Sequence, residues 1–91
     1  MSALHIVSKS DSALADCLNA CGERAFILLI EDGVNAALLA HVRPALHRYF
    51  VLQADVDARG LNARIGAEFQ RVDYAQFVQL CCDHAPIVSW Y

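Results

Sequence analysis

Ala25 to Ile30 (AFILLI) is an unbroken run of six apolar residues. A strand with one wet face alternates apolar and polar side chains, so a continuous run of this length fits a strand buried on both faces, as in the middle of a parallel sheet. Weaker runs of the same kind lie at Ala3–Val7, Tyr49–Leu52, Phe69–Val72 and Ile87–Trp90. Helical spacing fills the gaps. Leu14, Cys17, Leu18 and Cys21 recur at i, i+3, i+4 and i+7 within Ser12–Cys21, and Gly22 follows as a C-terminal stop. A second helix is expected from about Asn35 toward Pro44, which bends or restarts it, and a short turn over Asp57–Ile65, where Gly60 argues against a long helix. The last helix, Tyr74–Asp83, has Tyr74, Phe77, Val78 and Cys81 as its expected buried stripe, and Pro86 separates it from the final strand. Alternation of β and α segments with short links predicts a single α/β domain over residues 1–91: a five-stranded parallel sheet with Ala25–Ile30 central, right-handed crossovers and helices on both faces.

Composition bounds the function. A domain of 91 residues hides only about 60 to 65% of its unfolded surface, yet 57% of its residues are apolar. The excess points to apolar surface covered by partner chains. The net charge of −3, with seven scattered cations, lacks the basic footprint of a nucleic-acid binder. Met1–Ser10 has no apolar core of a signal peptide, and no apolar run approaches a membrane-spanning length, so a cytoplasmic protein is expected. In that compartment Cys17, Cys21, Cys81 and Cys82 are expected as thiols serving core, metal or sulfur chemistry.

Each candidate motif has a functional and a structural reading. Cys17 and Cys21, four apart on a helix, could clasp a metal with Cys81, Cys82 and His84. Both lie on the stripe of Leu14 and Leu18, however, and no close Cys-x-x-Cys knuckle is present, so they read as core and no metal or cofactor is assigned. Vicinal Cys81 and Cys82 could form a disulfide, but a helix does not turn neighbouring side chains toward each other. Glu31 and Asp32 stand where a buried strand meets solvent, a position for acid–base work, but with no nucleophile beside them. Structurally, Asp32 would cap the following helix and Gly33 would make the turn. Ser8-Lys9-Ser10 could hold an anion but lacks the glycines of a phosphate loop. His5, His41, His47 and His84 are too dispersed in sequence to form a recognisable grouping. Trp90, beside Tyr91, reads as either core filling or an interface anchor. Ligands of such sheets meet the loops at the strand carboxyl ends, here Ser8–Ser10, Glu31–Gly33, Gln53–Asp55 and Asp73–Tyr74.

Several stretches taken together resemble the TusB/DsrH family: Leu4-His5-x-Val7-x-Lys9-Ser10, Leu28-Leu29-Ile30-Glu31-Asp32-Gly33-Val34 with Ala36-Ala37, Asp55-Val56-x-Ala58-Arg59-Gly60-Leu61, Asp73-Tyr74-x-x-Phe77-Val78-x-Leu80, and Trp90. They occur in the family's order and cover essentially the whole chain. One departure is Leu38–Leu46, which is shorter than in many relatives and contains Pro44.

The resemblance implies a DsrE/F/H-like fold and a place in a cytoplasmic hetero-hexamer with two related α/β sister subunits, two copies of each. It implies sulfur passed as persulfide from cysteine to cysteine, onward through a small sulfur-carrier protein to tRNA wobble-uridine thiolation. It further implies that the principal sulfur-bearing cysteine belongs to a sister subunit and that this one is chiefly non-catalytic; no direct contact with nucleic acid or membrane is expected. Cys17, in Leu14-Ala15-Asp16-Cys17-Leu18, resembles a cysteine that some DsrH-type members keep in the first helix. That leaves an alternative open, a DsrH-type subunit of dissimilatory sulfur oxidation with Cys17 as persulfide carrier; a small-ligand binding module is a third. Cys21, Cys81 and Cys82 match no family motif.

Overall fold

The computed structural model of the chain describes residues 3–9, 12–21, 25–38 and 47–91. Five strands, β1 (Leu4–Val7), β2 (Phe26–Leu29), β3 (Arg48–Leu52), β4 (Phe69–Val72) and β5 (Ile87–Trp90), form one sheet in the order β4-β3-β2-β1-β5. Every neighbouring pair is parallel. The apolar run of β2 is therefore central, with Ile27, Leu28 and Leu29 fully buried. Full burial of one such aliphatic side chain contributes about 1.5 to 3 kcal/mol.

The helices divide unequally between the two faces, because the chain steps outward from β1 to β4 and then crosses back to place β5 beside β1. On the first face α1 (Ala13–Ala20), the 3₁₀ helix Glu31–Leu38 and α2 (Gln53–Ala58) contribute Leu14, Cys17, Val34 and Val56, which pack on Val7, Ile27, Tyr49 and Val51. Among the described residues, α3 (Tyr74–Asp83) alone lies over the second face, on Leu4, Ile6, Leu28, Phe50, Leu52 and Val72.

Local chemistry explains where these helices start and stop. Asp73 caps α3 through a reciprocal box: its Oδ1 accepts from the Gln76 amide at 2.8 Å, and Gln76 Oε1 accepts from the Asp73 amide at 2.8 Å. At the end of α2, Gly60 takes φ +65°, its amide donates to Asp57 O, and the Leu61 amide donates to Val56 O, with Leu61 and Val56 both buried in the core. This is the paired closure in which a left-handed glycine satisfies the last carbonyls of a helix.

Three expectations require correction. The second helix begins at Glu31, earlier than Asn35, and as a 3₁₀ helix; the expected continuation from 39 to Pro44 lies outside the described residues, as do Gly22 and His41. A helix also begins at Gln53, directly after β3, where a turn was expected only from Asp57. The buried stripe of α3 is rotated. Tyr74 and Val78 are each 62% exposed, and it is Phe77, Leu80 and Cys81 that pack on the sheet. A helix laid on one flat face buries only the side chains aimed down at the strands, and two of the four apolar positions of the stripe point away.

Candidate functional site

The loops at the carboxyl ends of β2 and β3 are tied together. Glu31 follows β2 in the left-handed region, φ +51°, and its amide donates to Asp55 Oδ2 at 2.7 Å. Asp32 Oδ1 accepts from Arg59 Nη2 at 2.7 Å and from Arg59 Nε at 3.2 Å. Arg59 also lies 3.8 Å from the Asp55 carboxylate, one turn earlier on α2. The Glu-Asp-Gly-Val and Asp-Val-x-Ala-Arg-Gly stretches, 24 to 27 positions apart in sequence, therefore interlock through their charged side chains. In the same turn Gly33 lies tight against the end of β1, where a Cβ would collide with the carbonyl oxygen of Val7.

These contacts change the reading of the acidic pair. Asp32 does not sit ahead of a helix as its cap. It lies inside the 3₁₀ helix and pairs with Arg59. The hydrogen bond from Arg59 and its charge hold the Asp32 carboxyl below the usual carboxylate range, with Lys9 adding a smaller effect. A carboxylate kept ionised by a guanidinium is a structural anion, whereas general-base work near neutrality calls for a raised pKa.

The cysteines occupy separate environments. Cys17 is fully buried on α1, and removal from water, aided by the neighbouring Cys21, pushes its thiol pKa up to about 12. Cys21 is half-buried, packs on the same core, and has its pKa raised by burial. Cys81 is half-buried on α3 with its pKa raised by burial, and Cys82 is exposed. The metal set of Cys17, Cys21, Cys81, Cys82 and His84 is not assembled. Cys17 packs on the first face of the sheet and Cys81 on the second, and among the described residues no group of three or more His, Cys, Asp or Glu converges.

Two histidines are buried close to the strands. His5 Nδ1 accepts from Trp90 Nε1 at 3.1 Å, and His47 Nδ1 accepts from the Ala25 amide at 3.0 Å. Burial lowers the pKa of both, and His47 lowers that of His5 further. Sequence spacing did not bring His5 and Trp90 together. Parallel pairing of β1 with β5 did. Trp90 is thereby a core-facing residue, half-buried against the first cluster, while Tyr91 is 86% exposed.

No helix among the described residues is long and apolar enough to cross a membrane. The family described as "DsrH like protein" matches residues 8–87. The chain is 38% identical to "Protein TusB" of Salmonella arizonae, with 70% of this chain and 73% of that protein covered. It is 42% identical to "Protein TusB" of Klebsiella pneumoniae over the same shares. Together with the interlocked motifs, these matches show that the chain belongs to the TusB/DsrH family.

Proposed function

We propose that this chain is a small, chiefly non-catalytic subunit of a cytoplasmic sulfur-relay complex serving tRNA wobble-uridine thiolation. In that assembly it stands beside two related α/β sister subunits in a hetero-hexamer, and a small sulfur-carrier protein takes the sulfur onward. Family membership supports the sulfur relay, and the acidic balance of the chain supports the absence of direct tRNA contact.

The observation that carries the non-catalytic role is the state of Cys17. Persulfide transfer needs a thiolate that can reach a sulfur donor, and thiolates are favoured at exposed positions near cations or helix N-termini. Cys17 is fully buried on the apolar side of α1, with its pKa pushed up to about 12. Burial favours the neutral thiol there, and the packed side of α1 keeps a sulfur donor from reaching it. Its role is packing, and the sulfur is carried by a sister subunit.

The test is wobble-uridine thiolation by the reconstituted complex containing Cys17→Ala. Transfer at the unmodified rate in an intact complex is the expected outcome. Loss of transfer from a stable, fully assembled complex makes Cys17 a relay residue and overturns the non-catalytic role.

A further inference from the structure

Among the described residues, β4 and β5 are the outer strands of the sheet, each with one neighbour. The open side of such a strand presents N–H and C=O groups that invite another strand, and charges on or beside it discourage that pairing. The two edges differ in this respect. β4 has Arg71 within it, Glu68 just before it and Asp73 just after it. Around β5, the run Ala85–Tyr91 (APIVSWY) contains no Asp, Glu, Lys or Arg. Exposure along β5 alternates, with Ile87 and Ser89 exposed and Val88 and Trp90 half-buried, and Tyr91 beyond them is exposed.

The register with β1 fixes which backbone groups of this edge are unused. Pro86 O and Trp90 O accept from the amides of Leu4 and Ser8, each at 3.0 Å. Backbone groups alternate in direction along a strand, so Pro86, Val88 and Trp90 serve β1, while Ile87, Ser89 and Tyr91 direct theirs outward. That outward row is complementary to itself. In antiparallel pairing about a twofold axis normal to the sheet, Ser89 meets Ser89 of a second copy and exchanges two hydrogen bonds with it. Ile87 then meets Tyr91 on one face, and Val88 meets Trp90 on the other. Both pairs set a β-branched side chain against an aromatic one, which is a favourable cross-strand match, and no charge opposes its like. The axis keeps each face of the sheet continuous, so the helices of both copies stay on their own sides.

We infer that β5 pairs antiparallel with β5 of a second copy, centred on Ser89, so that two five-stranded sheets run on as one. Self-complementarity of the row selects the occupant. The contact is one strand wide, at the low end of interface sizes, so the dimer is weak, with a Kd on the order of 10 to 100 µM. The inference concerns the chain by itself and does not rest on the subunit reading above.

The experiment is sedimentation of the purified chain from about 5 µM to about 1 mM, with circular dichroism and thermal unfolding of every variant alongside. A reversible monomer–dimer equilibrium is expected. Ser89→Lys sets two ammonium groups opposite each other at the axis, and Ser89→Glu two carboxylates, so each alone should weaken the dimer by at least about 10-fold. An equimolar mixture of these two variants should dimerise again, because opposite charges then meet. Ser89→Pro removes the outward N–H and spares the bonds to β1; proline is tolerated on an edge strand, and the dimer should again weaken by at least about 10-fold. A chain that stays monomeric at about 1 mM overturns the inference and leaves the subunit reading standing. So does a dimer that a folded Ser89→Lys or Ser89→Pro chain forms as readily as the unmodified one, since its contact then lies elsewhere. Failure of the mixed variants to associate overturns the register centred on Ser89, and with it the inference.

Discussion

Trp90 Nε1 donates a hydrogen bond to Nδ1 of His5 at 3.1 Å, which ties the last strand to the first. An indole N–H can only donate, so this ring nitrogen must stay unprotonated for the bond to exist. His47 is held in the same way by the Ala25 amide.

Acid should therefore destabilise the fold through these two rings. Their folded pKa values lie below the ordinary 6.5, chiefly because burial penalises the charged form. The unfolded chain takes up protons near pH 6.5 and the folded one resists, so stability is fully present above pH 6.5 and falls as pH drops below it toward the lower folded values. The slope is at most about 1.4 kcal/mol per pH unit for each ring. Urea unfolding at pH 7.5 and pH 5.5, read by the fluorescence of the chain's one tryptophan, checks the sign. Trp90→Phe should cost about 1 kcal/mol at pH 7.5 and give a shallower loss toward pH 5.5, because His5 can then protonate without breaking a bond. That variant is followed by circular dichroism.

Gly33→Ala and Gly60→Ala should both destabilise, for different reasons. At Gly33 the added methyl strikes the backbone of Val7, which is fixed in the sheet, and the expected loss is about 1 to 3 kcal/mol or more. At Gly60 the space is open and only the φ of +65° is unfavourable, a cost of about 1 to 2 kcal/mol. Gly60→Asn should recover part of the loss, since asparagine tolerates the left-handed region, whereas no side chain relieves Gly33. Thermal unfolding of the three variants distinguishes a collision from a torsional penalty.

Asp55→Ala should cost more than Arg59→Ala, although both belong to the same cluster. Asp55 accepts from the Glu31 amide and also faces Arg59, and because water can take over at this exposed amide the loss is about 0.5 to 1.5 kcal/mol. Arg59 faces a carboxylate that is 58% exposed, and such surface pairs contribute about 0 to 1 kcal/mol. Chemical denaturation in low and high salt checks the ranking. Only the Arg59 contribution should shrink appreciably with salt.

Thiol labelling should proceed in an order set by burial. Cys82 reacts first, Cys21 and Cys81 more slowly, and Cys17 only as fast as the domain opens. Cys17→Ala should cost roughly 1 kcal/mol, at the mild end of core truncations, and Cys17→Ser should cost more, because it buries a hydroxyl where a thiol packed as a small hydrophobe. Mass spectrometry of partially alkylated protein gives the order, and unfolding of the two variants gives the costs.

Patterns of neighbouring residues made the parallel sheet, the centrality of β2, the face of α1 and the limits of α3 legible in the sequence. Continuous apolar runs and the i, i+3, i+4 spacing are local consequences of strand and helix geometry. The interlock of Glu31 and Asp32 with Asp55 and Arg59 was not legible, nor was the pairing of His5 with Trp90, since these groups meet only when parallel strands set distant loops side by side. The Asp-x-x-Gln box at Asp73 was a readable signal for the start of α3, but which of its apolar residues face the sheet was not. Helical periodicity specifies a stripe but not the surface beneath it. That surface was fixed by the return crossover to β5, which lays α3 on the second face, turns Phe77, Leu80 and Cys81 inward, and leaves Tyr74 and Val78 in solvent.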